Sequence, residues 1–282
     1  MLRSSLRVLD RHDLDAALAV CGRDVVANLF VAARLRAGGI ATRSGGELWG
    51  FYDGGELRSL CWSGANLVPV EATADALDAF ANRARRQGRQ CSSLVGPAPA
   101  VLALWERLEA YWGRSREVRP DQPLMAIAGP PYVAPDPAVR ASTPDELPLV
   151  TPACVAMFTE EVGYSPVSAD GGALYHAQVA SLVRAGRSLV RIEDGPGGPQ
   201  VLFKAELGSV TPEAVQVQGV WVDPPHRGRG LALHGMAAVV EIVRATTAPV
   251  VSLYVNSFNV RAVRVYEKVG FQRVGTFATV LF

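Results

Sequence analysis

A mixed α/β fold, repeated in two halves, is what the sequence predicts, and three observations predict it. The same run of elements, β-α-α-β-β-β-α-β-α-β, is legible before and after a proline-rich stretch. That stretch, Gly129-Pro-Pro-Tyr-Val-Ala-Pro-Asp-Pro137, has four prolines in nine residues and sustains neither a helix nor a central strand. The second half also contains Val220-Trp-Val-Asp-Pro-Pro-His-Arg-Gly-Arg-Gly-Leu-Ala232, a strand broken by two prolines that enters a helix through an Arg/Gly loop.

Each element has its own signal. Leu6-Arg-Val-Leu9 reads as a first strand, and residues 14–36 cover helical segments. Residues 47–52, 56–62 and 66–70 are β-rich runs with Gly-rich turns. A helix at 74–87, a strand at 92–95, a helix at 98–111 and a strand at 116–127 complete the first half. After the linker a strand begins at Val139, and Thr143-Pro-Asp-Glu146 is a capped helix start. Helical stretches at 147–161 and 173–185 precede strands at 188–193, 200–210 and 214–222. Beyond the loop, Met236, Val239, Val240 and Val243 recur at helical spacing from Leu231. The β-branched run at 250–255 is a buried strand. Asn259, Ala262 and Tyr266 then lie on one face of a last helix that ends near Gly270.

Composition sets the bounds. At 282 residues two domains are expected, and 28 Lys+Arg against 27 Asp+Glu leave no basic field for nucleic acid. With 49% hydrophobic residues the chain can fill packed cores. No apolar run is long enough to span a bilayer, and Met1-Leu-Arg-Ser-Ser-Leu-Arg7 leads into polar residues without an apolar signal core. Cys21, Cys61, Cys91 and Cys154 are scattered, without metal-type spacing. The expectation is a reduced cytoplasmic protein with no metal and no membrane partner.

The Arg/Gly loop aims backbone N–H groups, the positive end of a helix and two guanidinium groups at one point, which suits a phosphate or pyrophosphate. Arg227, Gly230 and Ala232 fill, in order, an Arg/Gln-x-x-Gly-x-Gly/Ala pattern. Downstream, Asn259-x-x-Ala262-x-x-x-Tyr266-x-x-x-Gly270-Phe271 is a second complete pattern. On these two motifs, in this order over about sixty residues, the second half resembles the acyl-CoA core of the GNAT acetyltransferase superfamily. The matching element order upstream then implies tandem GNAT folds, the first one degenerate, as in actinobacterial two-domain members. The expected division is a degenerate GNAT-like domain at 1–128, a linker at 129–137 and a GNAT N-acetyltransferase domain at 138–282.

The resemblance implies roles. Arg227, Gly228, Arg229, Gly230, Leu231 and Ala232 would hold the pyrophosphate of acetyl-CoA, with Asn259 bonding cofactor or backbone, or capping its helix. In Val215-Gln-Val-Gln-Gly-Val-Trp-Val222 the valines change phase across Gly219, the mark of a β-bulge. By the resemblance, the opened strand at Val220, Trp221 and Val222 would meet the pantetheine arm, and an N–H there would act as an oxyanion donor. Tyr266 would protonate the leaving thiolate. A Glu on that strand serves as base in many members. Here Gln216 and Gln218 stand there, so Glu206 is the in-sheet alternative, with water relay open. Glu160 and Glu161 lie in the region that would shape the acceptor pocket, 157–178. His226 and His234 flank the loop, and no Ser/His/Asp triad or metal set can be assembled.

The first half reads differently at the matching junction. Asn66-Leu-Val-Pro-Val-Glu-Ala-Thr-Ala-Asp75 has no glycine and two carboxylates, which repel a pyrophosphate, and Trp105 takes roughly the place of Tyr266. An acetyl-CoA-dependent N-acetyltransferase acting on a primary amine, through its C-terminal domain, is the leading expectation. The alternatives are a non-catalytic acyl-CoA sensor or interaction protein, and a transferase with an aminoacyl-tRNA donor, which the neutral charge disfavours. The acceptor, a small amine or a protein amino group, is open, and so is a homodimer.

Overall fold

The structure, a computed structural model, describes residues 4–40, 45–167 and 171–282. The reading of residues 1–3, and residues 168–170 of the expected acceptor region, lie outside the described residues. The chain forms two compact units. One comprises Met1–Met125, Tyr254–Asn259 and Arg273–Phe282; the other comprises Ala126–Leu253 and Val260–Gln272. These limits differ from the division expected at residue 128, because the last strand returns to the first unit.

In the first unit, strands β1 (Ser5–Val8), β2 (Glu47–Asp53), β3 (Glu56–Ser63) and β4 (Asn66–Val70) form an antiparallel run. Helices α1 (Leu14–Cys21) and α2 (Leu29–Gly38) come between β1 and β2. Helix α3 (Ala74–Gln87) leads to β5 (Ser93–Pro97), which runs parallel to β4. Helix α4 (Ala98–Trp112) and β6 (Glu117–Ile127) follow. The gap between β5 and β6 is filled by β12 (Gln272–Leu281), antiparallel to β5 from Phe277↔Pro97 to Leu281↔Ser93. Pairing is reinforced by packing. Ala278 and Val280 of β12 are fully buried with Leu94, Phe80, Val101 and Leu104. At about 25 cal/mol per Å² of apolar surface, this burial is what commits the C-terminal strand to the first unit.

The second unit starts with β7 (Arg140–Ala141), α5 (Leu147–Val162) and α6 (Ala173–Arg184). Thr143 and Glu146 form the expected capping box ahead of α5. The Arg140 guanidinium and the Thr143 N–H hold the Glu146 carboxyl down at about 2. Strands β8 (Ser188–Gly195), β9 (Gly198–Val210) and β10 (Ala214–Val222) pair antiparallel, and β11 (Val250–Tyr254) runs parallel to β10, giving the order β11-β10-β9-β8-β7. Helix α7 (Leu231–Thr246) presses on β9 at Gly235, where a Cβ would meet the Phe203 ring at 2.8 Å. Helix α8 (Val260–Val269) packs against α7. Among the described residues no helix is long and apolar enough to cross a membrane, and all four cysteines are free and buried.

Candidate functional site

The site is built where two parallel strands part. β10 pairs with β11 only from Ala214↔Val250 to Gln216↔Ser252, and then runs on to Val222 with β9 alone at its side. The expected bulge lies at the point of divergence. The β9 register moves from Gln218↔Glu206 to Trp221↔Lys204, so β10 carries one extra residue. Gly219 takes that strain with φ +58, a conformation that L side chains rarely adopt. Val220, Trp221 and Val222 are half-buried along the opened edge.

β10 ends in the loop. Asp223 and a 3-10 turn at Pro224–His226 lead to Arg227, with His226 Nδ1 2.6 Å from Asp223 Oδ2. Gly230, at φ +84, is the N-cap of α7 and offers no side chain to its first N–H groups. Among the described residues, the backbone N–H groups of Gly228, Arg229, Gly230, Leu231 and Ala232 have no acceptor in the chain. Five successive N–H groups at the positive end of a 16-residue helix are therefore left without acceptors in the chain. The oxygens of an anion such as a pyrophosphate are acceptors of the kind such a set of donors takes.

Arg227 is already engaged. Its Nε donates to Val222 O at 3.0 Å, and its Nη2 donates to both oxygens of Glu160 at 3.0 and 2.7 Å. Trp221 Nε1 adds a third bond to Glu160 Oε1 at 3.1 Å. Glu160, expected on the acceptor side, thus reaches from α5 to the loop. Glu161, next to it, is exposed and acts electrostatically on both Tyr175 and Tyr266.

Tyr266 lies on α8, only 7% exposed, with its ring edge-on to Phe271. Burial, and then the negative charge of Glu161, push its phenol well above its ordinary value, so it stays protonated and able to donate. Glu206 is buried behind the bulge. Its Oε1 accepts from Lys204 Nζ at 2.7 Å and from Cys154 Sγ at 3.4 Å, and its Oε2 from Gln218 Nε2 at 3.4 Å. Burial pushes the Cys154 thiol up to about 12, so it remains a neutral donor. Asn259 stands just before α8, in the segment Tyr254–Asn259 that clusters with the first unit, and donates its N–H to Asn256 O at 2.9 Å.

Lys204 is the residue that sequence reading passes over. Its side chain is fully buried, and its Nζ donates to Glu206 Oε1 and, at 2.9 Å, to Gly219 O. The signal was there: opposite charges at i and i+2 in the apolar run Val201-Leu-Phe-Lys-Ala-Glu-Leu207 share one buried face of a strand. Among the described residues no three His, Cys, Asp or Glu side chains gather as metal ligands.

A splayed parallel pair, a bulge and a bare helix N-terminus thus follow one another along the second unit. Residues 193–271 match the acetyltransferase (GNAT) family, and residues 46–150 match a domain of unknown function, DUF4081. The second half therefore carries a GNAT domain, the chain has the tandem GNAT fold, and its first domain is diverged. Solved structures agree over the whole length. An acetyltransferase of the GNAT family from Colwellia psychrerythraea is 11% identical with TM-score 0.60, covering 99% of both chains. A tandem GNAT protein from the clavulanic acid biosynthesis pathway is 16% identical with TM-score 0.58, covering 98% of both chains. An N-acetyltransferase from Sphaerobacter thermophilus is 18% identical with TM-score 0.64, covering 99% of this chain and 95% of that one. At such identities the likeness is one of fold. No curated protein matches the sequence. The GNAT domain supports acyl transfer, and N-acyl transfer in particular, as the general activity.

Proposed function

We propose that the protein is an acetyl-CoA-dependent N-acetyltransferase that acetylates a primary amine in its second half. The observation that carries this reading is the set of five backbone N–H groups, Gly228 to Ala232, left without acceptors at the end of a splayed strand. In this reading the loop and Arg229 bind the pyrophosphate. The amine nitrogen attacks the thioester carbonyl, whose oxygen takes the N–H of Val220. The C–S bond breaks, and the thiolate takes the Tyr266 proton. The amine proton leaves to Glu206 Oε2 or to water. Glu161, beside Tyr266 and Tyr175, faces the acceptor, and Glu160 serves the loop side through Arg227. The acceptor is a small amine or a protein amino group, and the protein works in the cytoplasm.

One observation favours a second reading, an acyl-CoA-binding sensor without turnover: Glu206 Oε1 is already held by Lys204 and Cys154. Calorimetric titration of acetyl-CoA into wild type and Gly230→Asp tests the common ground. Binding by wild type and its loss in the variant supports the cofactor site, and folded wild type that does not bind overturns both readings. Thiol release from acetyl-CoA across an amine panel, abolished in Tyr266→Phe, separates enzyme from sensor.

A further inference from the structure

A peptide group has two ends, and the one at the bulge is held by one of them. Gly219 and Val220 have no β9 partner in the strand ladder, because the register passes from Gln218↔Glu206 to Trp221↔Lys204. The Gly219 carbonyl has lost its sheet donor, and Lys204 Nζ replaces it at 2.9 Å. The ammonium itself is fully buried and is compensated by Glu206 Oε1 at 2.7 Å. Glu206 also shapes the bulge directly, for a Cβ on Gly219 would lie 3.1 Å from its carboxyl.

The Gly219 C=O and the Val220 N–H belong to the same peptide plane. Among the described residues there is no cis peptide bond, so the two point in opposite directions. A donor that fixes the carbonyl inward therefore fixes the N–H outward, away from β9. A charged donor on the oxygen also polarises the amide and strengthens its N–H as a donor. We infer that Lys204 is a positioning residue: through the Gly219–Val220 peptide it aims and sharpens the N–H that receives the thioester oxygen. Glu206 Oε1 accepts from the same Nζ and offsets its burial, and the amide oxygen of a glutamine there would still accept from it, leaving the Lys204–Gly219 bond in place. The inference rests on the acyl-transfer reading above, in which Val220 meets the thioester.

The thioester carbonyl reports on this contact without any acceptor amine. In difference infrared spectra of carbonyl-labelled acetyl-CoA, an N–H donor lowers the carbonyl stretch relative to free acetyl-CoA. Wild type is compared with Glu206→Gln and with the double variant Lys204→Met/Glu206→Gln, which removes both charges and so leaves none stranded. The expected result is a lowered stretch in wild type and Glu206→Gln, and a return to the free value in the double variant, which still binds acetyl-CoA. A lowered stretch that survives in the double variant overturns the role of Lys204 and leaves the acyltransferase reading intact. Loss of the shift in Glu206→Gln alone assigns the effect to the carboxylate and also overturns it. Wild type that binds without any shift removes the oxyanion contact, and wild type that does not bind removes the function and the inference together.

Discussion

The β4–α3 junction of the first unit and the β10–α7 junction of the second are the same step of the fold, finished in opposite ways. Both follow a strand whose parallel partner soon departs: β4 meets β5 only at Asn66↔Ser93 and Leu67↔Leu94. In the first unit the chain closes the junction with its own groups. Thr73 caps α3 by accepting from the Ala76 N–H at 3.3 Å. Glu71, the only non-glycine residue at positive φ among those described, is tied down by Asn28 Nδ2 on its carboxylate and Ser59 Oγ on its carbonyl. The two strands also stay close past their pairing, since an added Cβ at Gly96 would be in ordinary contact with Pro69 O at 3.6 Å. In the second unit the cap is Gly230, five N–H groups are unmet and the strand edge is open. The first junction meets part of its own N–H groups through Thr73 and Ser59, and the second leaves the five from Gly228 to Ala232 to solvent or a ligand.

Changes at the open junction carry the largest effects. Gly230→Asp puts a carboxylate at φ +84 among those five N–H groups. About 1–2 kcal/mol of backbone strain and a repulsion of similar size predict a loss of acetyl-CoA affinity of about 100-fold, read by calorimetry. Retained affinity would mean that the anion does not sit on this helix. Tyr266→Phe should leave affinity alone and lower the acetylation rate by about 10²- to 10⁴-fold. Because burial raises the phenol from its ordinary 10.0, the wild-type rate should show no fall from Tyr266 ionisation below that pH. A decline that vanishes in the phenylalanine variant would count against the acid role.

At the closed junction the effect moves from binding to stability. Thr73→Ala should cost about 1 kcal/mol in unfolding free energy, the usual value of a side-chain cap, with acetyl-CoA affinity unchanged. Any change in affinity would break the contrast. The smallest effect is expected at Glu160, which competes for Arg227 from a half-exposed position. Glu160→Gln should tighten acetyl-CoA binding by about two- to fivefold, the worth of an exposed ion pair, and less at high salt. Weaker binding would make the glutamate a support of the loop and not its competitor.

Local chemistry made much of this legible beforehand. β4, α3 and β10 have the limits that their apolar runs and caps announce, and the bulge at Gly219 is visible as a change of phase among the valines. What stayed hidden depends on residues far apart in sequence. Glu160 and Arg227 are neighbours only because α5 lies beside the end of β10, and no pattern in either segment encodes that pairing. Glu206 was legible as a carboxylate in the sheet, but its commitment to Lys204 and Cys154 needed three dimensions. The destination of β12 was hidden for the same reason, since an apolar strand near the C-terminus looks alike whichever sheet it joins.

That last strand carries a consequence for the birth of the protein. On the ribosome, β5 emerges early, yet its neighbour β12 is translated only after nearly all of the second unit. Until then β5 is a bare edge of apolar residues, able to pair with any passing chain. Nascent protein is therefore most exposed to aggregation while the second unit is being made, and the first unit, though begun first, is finished after it.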